Sequence, residues 1–274
     1  MMVEALVYFF VPALVGVLIG IASGLLGIGG GTVMVPIFRL AFGMSATMST
    51  ATSLFAIIPT SISGAISHVK GKTCIPALGI AAGLGGACLS PVGVWLAQLS
   101  PDWLVMLAAA IIIGYSAINM FKKAFKLRPA GWPAAGVDAA APTADDSSLS
   151  RKQLLQGAAI GLVAGLASGY VGVGGGFIMV PLMLSIIGIP MRKASGTSLI
   201  AVMILAIPGV IEQGIIGNIN YLAGIAIVIG TIPGAVIGAR LVTKVPERTL
   251  RLLFGCFLIV AAVMLALNEV GIFG

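Results

Sequence analysis

The sequence predicts an all-α integral membrane protein made of two inverted-topology repeats, each of about five helical segments. Three observations predict it. The 274-residue chain is 59% hydrophobic and only 8% charged, with a mean hydropathy of +1.16; soluble chains carry about a quarter charged residues. Its apolar runs are long and lack the alternation of a membrane barrel. Its two halves match at a constant offset of 145 residues, with no gap over about 80 positions.

The elements follow in order. Apolar runs cover roughly 5–28, 31–43, 47–68, 74–98 and 103–121, then roughly 153–173, 176–188, 194–216, 221–242 and 249–267. The first opens beside Glu4 with no base before it, unlike a signal peptide. A full crossing takes ~20 residues. The second run of each set has only about 13, ~20 Å as a helix. Such a run either crosses or forms a re-entrant hairpin with its predecessor, and both options return the chain to the same side. Each short run follows a glycine cluster. Between the sets, residues 127–150 are rich in Ala, Pro, Asp and Ser and have no apolar period. They are expected to be a flexible linker between a first repeat, 1–126, and a second, 151–274.

The duplication is explicit. Gly16, Gly20, Ser23 and Gly24 correspond to Gly161, Gly165, Ser168 and Gly169. Gly27, Gly29, Gly30 and Gly31 correspond to Gly172, Gly174, Gly175 and Gly176. Pro36 pairs with Pro181, and Thr52, Ser53 and Leu54 pair with Thr197, Ser198 and Leu199. Charge orients the halves. Bases follow the third and fifth runs of the first half: Lys70, Lys72, Lys122, Lys123, Lys126 and Arg128. In the second half they precede the first run, follow the second and follow the fourth: Arg151, Lys152, Arg192, Lys193, Lys244, Arg248 and Arg251. With bases cytoplasmic, the first half begins outside and the second inside. The linker is then cytoplasmic and both termini periplasmic. Arg39 departs from the pattern, as a base inside an outward-side short run, where it would snorkel or face a cavity.

These placements exclude several classes. The net charge of +7 is confined to loops, so it does not indicate nucleic-acid binding. Cys74, Cys88 and Cys256 stand singly, without metal or disulfide spacing, and no metal or cofactor is expected. "GKT" at 71–73 is not a P-loop, because position 66 is Ile rather than Gly. No acid pair, metal cluster or Ser/His/Asp set lies at membrane depth, so an enzyme is not expected.

Inverted repeats with interrupted helices are the pattern of secondary transporters, whose sites lie near the midplane at the breaks. The breaks here are "GIGGG" at 27–31 and "GVGGG" at 172–176. A helix beginning just after each presents unpaired N–H groups and about +0.5 charge. Glycine lets a small anion approach that backbone. Gly29, Gly30, Gly31, Gly174, Gly175 and Gly176 are therefore candidate backbone donors, with close helix packing as the competing role. Thr52, Ser53, Thr197 and Ser198 are candidate hydroxyl donors, with bonds to their own helix backbone as the competing role. Glu212 and His68 are the candidate proton carriers, since ionisable groups inside apolar segments are functional candidates. Both stand near segment ends, where interfacial exposure is the competing explanation. Trp95, Trp103 and Tyr221 read as interfacial anchors, and Pro36, Pro59, Pro181 and Pro208 as kink or hinge positions.

"GIASGLLGIGGGTVMVP" and "ATSL" in the first half, with "GLASGYVGVGGGFIMVP" and "GTSL" in the second, resemble the TauE/SafE family of sulfite exporters and sulfonate permeases. The resemblance covers nearly the whole chain except the linker. It implies a bacterial inner-membrane secondary transporter whose partners are the bilayer, protons and a small sulfur-containing anion such as sulfite, sulfoacetate or another organosulfonate. A passive anion channel of the same fold is the alternative. Ala51 stands where the second half has Gly196, so the two half-sites need not be equivalent.

Overall fold

The computed structural model describes residues 2–126 and 150–269. The predicted linker therefore lies outside the described residues, apart from Ser150. The described chain is helical: α1 Met2–Leu26, α2 Gly31–Phe42, α3 Ala46–Lys70, α4 Pro76–Leu99, α5 Asp102–Lys126, α6 Arg151–Val171, α7 Gly176–Leu182, α8 Met191–Ile216, α9 Tyr221–Leu241 and α10 Glu247–Glu269. Each falls on one predicted run. Seven of them, α3 to α6 and α8 to α10, are long and apolar enough to cross a membrane. The second half departs from expectation at its short run. There α7 gives way to a π-helical turn, Met183–Ile187, before a left-handed Gly188 ends it.

Local chemistry sets the helix ends. Ser45 accepts from the Met48 N–H at the start of α3, and Ser150 forms a capping box with Gln153 at the start of α6. Pro76 opens α4, where its missing N–H loses nothing. Asn220 Oδ1 accepts from the Ala223 N–H at the start of α9. Two acids cap at a distance. Asp102 Oδ2 accepts from the Ala46 N–H at 3.2 Å, and Glu247 Oε1 accepts from the Met191 N–H at 2.7 Å. These contacts are the same one at the 145-residue offset. Arg39 also meets Asp102, at 3.9 Å, while Arg251 pairs with Glu247 at 2.8 Å.

The tightest packing joins α1 to α9 and α4 to α6, across the two halves. Small residues allow it. A Cβ on Gly20 of α1 would fall 2.4 Å from the Thr231 carbonyl oxygen of α9, and one on Gly165 of α6 would fall 2.1 Å from that of Gly86 on α4. Gly20 and Gly165 are a repeat pair, as are Gly86 and Thr231, so the same contact is made twice. For these mid-helix glycines packing is the role. Helices α3 and α8 contact each other and link the two pairs, while α5 packs on α10. This frame holds the two chain breaks, between α1 and α2 and between α6 and α7, against one another.

Candidate functional site

At the first break Gly27, Gly29 and Gly30 have φ of 76°, 80° and 86°; at the second Gly172, Gly174 and Gly175 have 73°, 86° and 68°. A side chain in that left-handed region costs roughly 1–2 kcal/mol per residue, so three glycines of each motif are there for the backbone path. Gly31 and Gly176 begin the short helices and serve a different purpose. A Cβ on Gly31 would lie 2.5 Å from the Val173 carbonyl oxygen, and one on Gly176 would lie 2.4 Å from that of Gly27. The two breaks therefore touch, each glycine seated on the backbone of the opposite loop.

The predicted glycine donors are thus brought together, with apolar side chains over them. A Cβ on Gly29 would meet Val202 Cγ1 at 2.9 Å and Ile57 Cγ2 at 3.3 Å; one on Gly174 would meet Ile57 Cδ1 at 2.8 Å. Ile57 and Val202 are themselves a repeat pair and both are fully buried. Neither short helix has a side-chain N-cap, Gly30 and Gly175 standing in that position. In their first turns the N–H groups of Val33 and Met34 donate to the Gly30 carbonyl, those of Ile178 and Met179 to the Gly175 carbonyl, and that of Gly176 to the Gly174 carbonyl at 2.8 Å, which leaves the N–H groups of Gly31, Thr32 and Phe177 as the donors at the helix starts.

The predicted hydroxyls divide. Thr52 Oγ1 accepts from the Asn220 N–H at 3.0 Å, and Thr197 Oγ1 accepts from the Ile75 N–H at 2.9 Å. Each threonine thereby satisfies the entry to a helix of the other half. Ser198 Oγ donates to the Gly27 carbonyl at 2.7 Å and lies 2.8 Å from that of Ser195, so it ties α8 to the first break. Ser53 is fully buried with no partner for its hydroxyl.

Other hydroxyls at the breaks went unpredicted. Ser23, Thr32, Ser61 and Ser168 are fully buried and their oxygens have no hydrogen-bond partner. Ser23 and Ser168 lie one turn before their breaks; Thr32 is the second residue of α2; Ser61 Oγ would be 3.4 Å from a Cβ on Gly29. The repeat could have pointed to Ser23 and Ser168, which match at the same offset. Thr32 and Ser61 had no such signal, because their counterparts are Phe177 and Ala206. A stranded buried hydroxyl costs ~1–3 kcal/mol, which a ligand taking hydrogen bonds from it would relieve.

The two candidate proton carriers are apart. His68 is fully buried; its Nε2 donates to the Gly24 carbonyl at 2.8 Å and its Nδ1 meets Thr73 Oγ1 at 2.7 Å. Its ring packs against Gly196, where a Cβ would fall 2.8 Å from Cγ. That ring and the Thr73 carbonyl oxygen, which would be 2.5 Å away, leave no room for the Cβ that Ala51 carries in the first half. Glu212 stands sixteen residues beyond Gly196 on α8, ~24 Å along the axis. It is half-buried, and its Oε2 is enclosed without a partner. Among the described residues, no three His, Cys, Asp or Glu side chains converge to hold a metal.

A multi-pass helical chain whose two broken helices meet back to back is a membrane protein of the transporter class. A model of the TauE/SafE sulfite exporter family matches residues 12–265, and the chain belongs to that family. It is 27% identical over 271 residues to the probable membrane transporter protein YunE of Bacillus subtilis, covering 92% of this chain and 97% of that one. It is 28% identical over 239 residues to YdhB of the same organism, also a probable membrane transporter protein, covering 87% and 92%. A probable membrane transporter protein of Haemophilus influenzae is 28% identical over 275 residues, covering 93% and 97%. No solved structure matches. Family membership implies a small-molecule substrate and a bilayer around the chain.

Proposed function

We propose that this chain is a secondary transporter that moves a small sulfur-containing anion, sulfite or an organosulfonate such as sulfoacetate, across the bacterial inner membrane by alternating access. The observation that carries the proposal is the meeting of the two breaks: uncapped helix starts and stranded hydroxyls lie together, with no lysine or arginine among them. An oxyanion needs donors. Backbone N–H groups and neutral hydroxyls supply them without burying a permanent opposite charge. Gly29, Gly30, Gly31, Gly174 and Gly175 supply the backbone, Gly176 having its N–H on the Gly174 carbonyl until the break rearranges, and Ser53, Ser23, Ser61 and Thr32 supply the hydroxyls. Thr52 and Thr197 accept from the frame and keep their hydroxyl protons for the ligand, while Ser198 spends its proton on the Gly27 carbonyl and holds the break in place. The sulfur chemistry comes from the family, not from the geometry.

Ile57 and Val202 favour a carrier rather than an open channel, because both are fully buried against the glycines and must shift before an anion binds. The repeat contacts at an offset of 145 and the distribution of bases support two inverted repeats, 1–126 and 151–274, joined by a cytoplasmic linker. Glu212, with its enclosed and unpartnered oxygen, is the better proton carrier of the pair. His68 has both ring nitrogens engaged and acts as a clip between α1 and α3.

The test is flux in proteoliposomes. Labelled sulfite or sulfoacetate is loaded and challenged with unlabelled anions, with and without a pH gradient. Saturable exchange that prefers these anions and responds to the gradient is expected. Non-saturating flux indifferent to the gradient would establish the channel instead, and absence of flux for every sulfur anion would remove the substrate assignment.

A further inference from the structure

A second polar feature lies away from the breaks. Helices α5, α6 and α7 enclose a half-open groove of about 830 Å³. Helix α5 lines it at Ala108, Ile112, Tyr115, Ser116, Asn119 and Lys123, one face of the helix. Leu96, Val163, Leu166 and Ala167 add apolar lining, while Asn119, Lys123 and Ser185 supply polar groups. Lys123 Nζ donates to the Pro181 carbonyl at 2.9 Å and to Ser185 Oγ. The π-helical turn that follows loosens the helical ladder at this point, and the Ser185 hydroxyl donates to the same carbonyl at 2.7 Å. Lys123 therefore has only neutral partners, and one of its three ammonium donors is unassigned.

The repeat does not explain this chemistry. The positions matching Tyr115, Ser116, Asn119 and Ser185 in the other half are Val260, Ala261, Met264 and Leu40, all apolar. A cation, whose counterpart is the neutral Asn268, and four further polar groups have been placed in one half only.

We propose that this groove is a binding site for an anionic phospholipid of the surrounding bilayer, with its phosphate at Lys123 and an acyl chain along α5 toward Ala108. The dimensions fit. Ala108 to Lys123 is fifteen residues, ~22 Å of helix, and one leaflet with its headgroup layer is ~20–22 Å. The charge fits as well. Lys122 and Lys126 share the same end of α5, the end that the bases assign to the cytoplasm, and that leaflet is where anionic lipids meet basic pockets between helices.

Native mass spectrometry of the detergent-purified full chain tests it. Phosphatidylglycerol and phosphatidylcholine with identical acyl chains are titrated in parallel. The wild type is expected to hold one phosphatidylglycerol at least fivefold more tightly than phosphatidylcholine. Lys123→Gln is expected to bring the two near parity, and Lys123→Arg to retain the preference. Ala167→Trp, which fills the groove away from the charge, is expected to weaken both lipids. Thermal unfolding of each variant confirms that it is folded. Equal binding of the two lipids by the wild type overturns the proposal, whatever the variants do. So does an unchanged preference in folded Lys123→Gln. Displacement of phosphatidylglycerol by millimolar inorganic phosphate would mean a bare anion site, and a dimer cross-linked through Tyr115 would mean that a second copy fills the groove; either result overturns the lipid assignment.

Discussion

The two chain breaks share a backbone and differ in chemistry. Both turn through three left-handed glycines, and both seat a fourth glycine on the opposite loop. Around the first break stand Ser23, Thr32 and Ser61, all buried and unpartnered; at the matching positions around the second stand Ser168, Phe177 and Ala206. The copies share the glycine path, the seated glycine and the stranded hydroxyls of Ser23 and Ser168, and they differ at Thr32 and Ser61. In the proposed site the first break therefore carries two stranded hydroxyls that the second lacks.

The largest effect should come from the shared contact. Gly31→Val and Gly176→Val each drive a side chain into a backbone carbonyl that cannot yield. Little folded, monodisperse protein is expected from either on size-exclusion chromatography. Gly30→Ala is milder in packing, because its Cβ would meet side chains rather than backbone: Ile19 at 3.0 Å, Met34 at 3.1 Å and Ser23 at 3.7 Å. It should fold, at a penalty of roughly 1–2 kcal/mol for its left-handed φ, and lose at least tenfold in transport. If Gly30→Ala and Gly175→Ala both transport at wild-type rates, the breaks are packing devices and not a site.

The next effect separates the halves. Ser61→Ala and Ser23→Ala remove hydroxyls that have no partner, so stability should hold or rise by about 1 kcal/mol, since a stranded polar group is relieved. Transport should nevertheless fall at least tenfold, on the order of the 1.4 kcal/mol that one lost donor represents. Ser168→Ala should change transport by less than threefold. Equal losses at Ser23 and Ser168 would make the site symmetric and end the distinction between the breaks.

A third substitution should show no difference between the halves. Thr52→Val strands the Asn220 N–H, and Thr197→Val strands that of Ile75. Each should destabilise by ~1–3 kcal/mol, and by similar amounts, because the two bonds are copies of one contact. Thermal unfolding in detergent measures both. A large inequality would show that one of them is also engaged with something else.

The fold was readable because membrane crossing writes long apolar runs, and every described helix lies on one of them. The linker, expected from a change of composition, lies outside the described residues. The site was readable only where it repeats. The glycines and Thr52, Ser53, Thr197 and Ser198 stood out by duplication. Yet duplication also selected Thr52 and Thr197, whose acceptor bonds join helices that no spacing could connect. It passed over Ser61, because the other half has Ala206 there. The π-helical turn after α7 had no sequence signal either: "MLSII" is apolar and helix-compatible, and its register depends on Gly188 and on the side of the helix that Lys123 reaches.

The smallest effects concern the ionisable pair, and here too the repeat decides between explanations. His68 and Thr73 match Gln213 and Asn218, and Asn218 Nδ2 donates to Gln213 Oε1 at 2.8 Å just as Thr73 meets the His68 ring. The second half thus builds its clip from two amides that do not titrate near neutral pH. His68→Gln places in the first half the residue that the second half already uses. It should fold, transport within twofold of wild type and keep its response to a pH gradient. Glu212 has no such substitute, since its counterpart is Ser67. Glu212→Gln should leave anion exchange within threefold but remove gradient-driven accumulation, because an amide keeps the shape and cannot carry the proton. If His68→Gln instead loses the gradient response while Glu212→Gln keeps it, the proton passes through the clip, and the half with the histidine differs from its copy in coupling as well as in binding.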